Sequence, residues 1–160
     1  ASDFPHRACG LVCMSTGAQL PVPEGDMDVL SRDFAGAVRR SCASAYGASA
    51  PDALIRQGCD MLYRNGQETL CRDLHACAGF DGTAPAASIS APALVLCGSD
   101  DALTPPDLSR DLCGRLARAQ LALVGGAGHM LMQEKPAECL SLIAGFVAAL
   151  VWNSSEPASG

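Results

Sequence analysis

Apolar positions in this chain follow two rhythms: short continuous runs, and longer stretches with helical spacing. The first run, Cys9-Gly-Leu-Val-Cys-Met14, is β-compatible and leads into Ser15-Thr-Gly17, so it predicts a buried strand ending in a loop. Pro21 and Pro23 then exclude regular structure. Over residues 26–47 the apolar side chains Met27, Leu30, Phe34 and Val38 recur at helical spacing, which predicts one helix stopped by Gly47. Pro51 opens a second helix carrying Leu54, Ile55, Met61 and Leu62, with Gly66 near its end. A third, over residues 67–77, places Leu70, Leu74 and Cys77 on one side. The helical stretch between the strands is roughly 55 residues, longer than an ordinary crossover connection.

The second half changes rhythm. Pro92-Ala-Leu-Val-Leu-Cys97 is a continuous apolar run, as expected of a parallel strand covered on both faces. Thr104-Pro-Pro-Asp107 combines a hydroxyl N-cap, a proline at the first helical position and an acid at the third, opening a helix with Leu108, Leu112 and Leu116 on one face. Leu121-Ala-Leu-Val124 predicts another buried strand. Gly125-Gly-Ala-Gly-His129 follows as a flexible turn. Pro136 begins a last helix with Leu140, Ile143, Val147 and Leu150 expected to face inward, and residues 153–160 form a polar tail expected to fray.

Composition narrows the class. With 160 residues, 49% hydrophobic and 18% charged, the chain can bury a core. A formal charge of −6 with scattered basic residues argues against nucleic acid as a partner. No apolar stretch reaches the roughly 20 residues of a membrane span, so no membrane partner is expected. Of the nine cysteines, Cys13, Cys97, Cys113 and Cys139 sit in apolar patterns, which suggests buried thiols in a reducing, cytoplasmic compartment. Cys71, His75 and Cys77 are the alternative, as metal ligands, but they lack a CxxC pair and a fourth ligand. They read as helix residues, and neither a metal nor a cofactor is expected. His6 and His75 read as surface or structural residues.

The order strand, acid-bearing loop, helix, strand, histidine-bearing loop, helix is the ending of a parallel α/β sheet, whose ligands meet the carboxyl ends of the strands. Adjacent strands would set the loops of Asp101 and His129 side by side. Either feature alone has a plainer reading, as turn chemistry or a glycine-rich loop. In combination, Ala91-Pro-Ala-Leu-Val-Leu-Cys-Gly-Ser-Asp-Asp-Ala-Leu-Thr-Pro-Pro106 and Gly126-Ala-Gly-His129 with a closing helix resemble the C-terminal third of bacterial α/β-hydrolases of the esterase and lactonase type. Arg7-Ala-Cys-Gly-Leu-Val-Cys-Met-Ser-Thr-Gly17 is similar to the strand after the nucleophile helix of that family, and residues 26–80 resemble its helical cap.

The resemblance implies the C-terminal part of a parallel α/β-hydrolase sheet of three strands, built from residues 1–25 and 81–152, with an inserted helical cap at 26–80. It implies Asp101 as the triad acid, with Asp100 as runner-up, and His129 as the base. A small ester, lactone or related acyl compound is the implied substrate. Met27, Leu30, Phe34, Met61, Leu62 and Tyr63 are candidate pocket lining in the cap, although core packing explains such stripes more often than substrate contact does.

The family's Gly-x-Ser-x-Gly elbow has no clear counterpart. Cys13-Met-Ser15-Thr-Gly17 comes nearest, but prolines follow where a helix should start. The oxyanion loop is likewise missing from the pattern. The expectation is a chain starting downstream of the nucleophile, with the missing N-terminal part of the same fold as its partner. The alternative is a non-catalytic binding or interaction module that keeps this ending.

Overall fold

The computed structural model describes residues 1–23 and 25–155, with side chains as far as Trp152. Three strands, β1 (Leu11–Met14), β2 (Ala93–Gly98) and β3 (Ala119–Val124), form one parallel sheet in the order β1-β2-β3. Leu11 pairs with Ala93, and Ala93 with Ala119. Every residue of the central strand β2 is buried, so its sequence is apolar without alternation. Alternate β2 side chains serve opposite faces. Ala93 and Val95 pack with Ala86, Leu112 and Leu116, whereas Leu94 and Leu96 pack with Val124, Leu131 and Cys139.

Between β1 and β2 run five helices, of which the first four are α1 (Asp26–Arg32), α2 (Phe34–Ala45), α3 (Asp52–Asn65) and α4 (Gln67–Ala78). The single helix expected over residues 26–47 is two helices. Asp33 leaves helical geometry (φ −138°, ψ 71°), and its Oδ1 accepts from the Gly36 N–H at 2.8 Å, which makes it the N-cap of α2. An aspartate offers the backbone that alternative to continuing a helix. Apolar spacing continues across the break and conceals it.

A short helix, α5 (Thr83–Ser88), was not expected from the apolar pattern. Asp81 Oδ1 initiates it by accepting from the Thr83 N–H and hydroxyl at 2.9 and 2.6 Å. Next comes α6 (Pro106–Arg115), then, after β3, α7 (Leu131–Glu134) and α8 (Pro136–Ser155). Thr104 is not the cap of α6. Pro105 occupies that position with no side-chain cap bond, and the Thr104 hydroxyl is used elsewhere.

The inward face of α8 also differs from expectation. Cys139, Leu142, Ile143 and Phe146 join the core around Leu96 and Leu131, while Leu140 and Val147 are 68% and 48% exposed. This helix is apolar on more than one side, so periodicity alone selects no face. The helix also continues through Ser155, past the start of the expected tail at residue 153; residues 156–160 lie outside the described residues.

Of the cysteines read as buried thiols, Cys97 and Cys139 are buried and Cys13 and Cys113 half-buried. Burial pushes the Cys13, Cys97 and Cys139 thiols up in pKa. His75 is exposed, with Nδ1 2.8 Å from the Cys71 carbonyl oxygen. Among the described residues no three His, Cys, Asp or Glu side chains are grouped to hold a metal ion, and no helix is long and apolar enough to cross a membrane.

Candidate active site

The parallel order places the loops after β2 and β3 side by side at the carboxyl end of the sheet, and the two are joined by backbone bonds. Ser99 N–H donates to Val124 O and Asp100 N–H to Ala127 O, both at 2.9 Å. Ser99 Oγ accepts from the Gly126 N–H at 2.8 Å and donates to Asp100 Oδ1 at 2.7 Å. Gly98 is required at this crossing, because a Cβ there would run into the carbonyl oxygens of Ala127 and Gly128. Asp100 thus orients Ser99 rather than the imidazole.

Asp101 is only 3% exposed. Its Oδ1 accepts from the N–H groups of Leu103 and Thr104 at 3.0 and 2.8 Å, and its Oδ2 from the Thr104 hydroxyl at 2.9 Å. His129 Nδ1 lies 3.1 Å from Oδ2 and 3.3 Å from Oδ1. Burial alone would push the Asp101 carboxyl up. The His129 bond, the Thr104 N–H, the charge on His129 and the Thr104 hydroxyl outweigh it and hold the carboxyl below its ordinary range.

A carboxylate only accepts, so Nδ1 carries the proton and Nε2 is left as the basic atom. Thr104 Oγ1 also lies 3.0 Å from Nδ1. Its own proton goes to Oδ2, and it turns a lone pair to the same Nδ1–H. The acid, hydroxyl and imidazole thus form one closed unit whose buried polar groups are all paired. Residue-type reasoning missed the part played by Thr104, because a hydroxyl before two prolines fits a helix cap equally well. Its position three residues after a buried acid was the available signal.

Ser15 follows β1 at the same end of the sheet, where its N–H donates to Leu96 O at 2.8 Å. Its φ of +44° is left-handed, it is 7% exposed, and among the described residues its Oγ has no hydrogen-bond partner. Among the described residues no helix follows Ser15 in sequence until Asp26, unlike the strand–turn–helix of a nucleophile elbow.

The candidate pocket residues separate. Leu30 is buried, Phe34 packs edge-on against Tyr63 with ring centroids 5.8 Å apart, and Met61 is exposed. Two surface concavities, of about 450 and 400 Å³, are lined by α3 and by residues around Leu20 and Phe80; neither includes Asp101 or His129.

The sequence profile of the alpha/beta hydrolase family matches residues 4–142. Similar solved structures include a thermophilic esterase (24% identity, TM-score 0.83), with 92% of this chain aligned to 59% of that one. The enol-lactonase from Burkholderia xenovorans LB400 (18% identity, TM-score 0.83) aligns over the same shares. An N-acyl homoserine lactone degrading enzyme (21% identity, TM-score 0.80) aligns over 90% of this chain and 60% of its own. The chain therefore spans about three-fifths of the length of these structures. No curated protein shows significant similarity to it.

Proposed function

The chain belongs to the α/β-hydrolase family, and from that premise we propose that it supplies the acid and the base of a serine-type hydrolase acting on an ester, lactone or related acyl substrate. The carrying observation is the buried Asp101 bonded to His129 Nδ1 at 3.1 Å, which leaves Nε2 as the proton acceptor. In this reading Nε2 takes the proton of a serine hydroxyl as its oxygen bonds the acyl carbon, then returns it to the departing alkoxide. A water deprotonated the same way releases the acid. The Asp101 carboxylate holds the tautomer and stabilises the imidazolium.

The nucleophile and oxyanion donors are assigned to the portion of the fold that the similar structures carry and this chain does not span. Helices α1 to α4 act as the cap over the acyl group, and a cytoplasmic location suits the nine free cysteines.

Hydrolysis of a chromogenic acyl ester tests the proposal. The 160-residue chain should turn over no faster than its His129→Ala variant. Joined to a nucleophile-bearing N-terminal half, it should gain activity that His129→Ala lowers by roughly 10³-fold or more. Turnover by the chain alone that Ser15→Ala abolishes would make Ser15 the nucleophile instead. A joined protein that never hydrolyses any acyl ester would favour the binding module.

A further inference from the structure

We propose that Glu134 is a positioning residue, a carboxylate strap that ties the histidine loop to the end of α2, so that the placement of His129 depends on the placement of the helical segment. The inference rests on His129 being the base. Glu134 Oε1 accepts from the Gly128 N–H, one residue before the histidine, and Oε2 accepts from the Gly47 N–H, just beyond α2, each at 2.9 Å. Both glycines are buried, so these are two desolvated donors satisfied by one side chain.

Three features reinforce the strap. Met130 N–H donates to Ala45 O at 3.0 Å, and the Tyr46 hydroxyl donates to Gln133 Oε1 at 3.0 Å. A Cβ at Gly128 would collide with the backbone of Tyr46 and Gly47, so the two loops cross with no side chain between them. Contacts thus fall on both sides of His129 in sequence, at 128 and 130, and all reach the 45–47 corner. Displacement of that corner would be passed to the imidazole through bonded backbone rather than through a mobile side chain.

A carboxylate is required because it alone offers an acceptor to each amide. Gln would keep one acceptor and turn a donor toward the other N–H. Amide hydrogen exchange and the imidazole proton signals of the 160-residue chain, read by NMR, test this without any turnover, and so stand whether or not the hydrolase proposal holds. In Glu134→Ala, exchange at both Gly47 and Gly128 should accelerate at least tenfold, and the His129 Nδ1–H signal should broaden. In Glu134→Gln only one glycine amide should be released. Amides of Val95 and Leu96 should keep their protection in the Gln variant, and Glu138→Ala, on the exposed start of α8, should move none of these signals. Unchanged glycine protection in Glu134→Ala would overturn the strap. Released glycines with an unmoved His129 signal would overturn its positioning role, as would equal acceleration throughout β2 in Glu134→Gln.

Discussion

At the scale of single residues, Asp101 is a buried carboxylate whose oxygens are fully engaged. It is buried with four donors, and deleting one should cost more than a surface hydrogen bond does. Thr104→Val removes the hydroxyl from a desolvated carboxylate and should destabilise the fold by about 1.5–3 kcal/mol in urea melts, with Thr104→Ser recovering most of it. Loss below about 0.5 kcal/mol would show that the hydroxyl is dispensable. A pH dependence follows from the depressed Asp101 carboxyl. With the folded pKa below the unfolded one, its contribution is complete above the unfolded value of about 3.9 and is lost as pH falls through the folded value. Wild type should therefore exceed Asp101→Asn in stability by more at pH 7 than at pH 3, and a gap that stays constant would refute the ionised assignment. That the loops of Asp101 and His129 meet was legible in the sequence because element order fixes which loops are neighbours, whereas the choice of Asp101 over Asp100 came from the family resemblance. Thr104 was not legible, since its two possible partners differ only in how the loop closes. The left-handed backbone of Ser15 has no sequence signature, serine being an ordinary residue to end a strand.

At the scale of elements, strand positions were read well, but the buried character expected of β1 and β3 holds only for Val124, with Val12 and Leu123 exposed, and helix faces were read less well, for a physical reason. A strand buried on both sides is apolar throughout, as β2 is, and its shortness with Pro92 and Gly98 at its ends separates it from a buried helix segment. A helix presents a continuum of faces, and α8 carries apolar residues over enough of its circumference that Leu140 and Val147 were assigned to the core while Phe146 was not. Similarly, the break at Asp33 is made by one side chain turning to the Gly36 N–H, which does not disturb the apolar spacing on either side. That cap gives a direct test. Asp33→Ala should cost about 1 kcal/mol, and Asp33→Asn much less, because an amide oxygen caps nearly as well. Equal losses would mean that the charge, through the α2 dipole or through Arg40 at 3.9 Å, matters more than the cap bond.

At the scale of the whole molecule, the sheet has only three strands, so β1 and β3 each present one edge without a strand partner among the described residues. The N-terminal end of β1 lies against α8, where a Cβ on Gly10 would run into the Leu150 side chain and touch the Phe146 ring. Past that contact Leu140 and Val147, two turns apart on one face of α8, are exposed, and Trp152 near its end is 72% exposed. An unpaired strand edge and an exposed apolar helix face are each a template for association, because each offers what a second chain can satisfy: backbone donors and acceptors on one, desolvation on the other. With a net stability of about 5–15 kcal/mol expected for a domain of this kind, a partly opened state that widens this surface would also be populated more readily. The isolated chain should therefore elute as oligomers or bind a hydrophobic dye. Leu140→Lys with Val147→Lys should shift it toward monomer and reduce dye binding while leaving its circular dichroism unchanged, since neither side chain contributes to the core. Leu96→Ala should do the opposite, losing about 2–5 kcal/mol from the centre of the sheet and raising dye binding. Size-exclusion chromatography, dye titration and thermal melts on the three proteins decide the matter. A monodisperse, dye-silent wild type with a cooperative melt would show that the α8 face and the β1 edge are tolerated in water, and that the three-stranded unit is a self-sufficient fold.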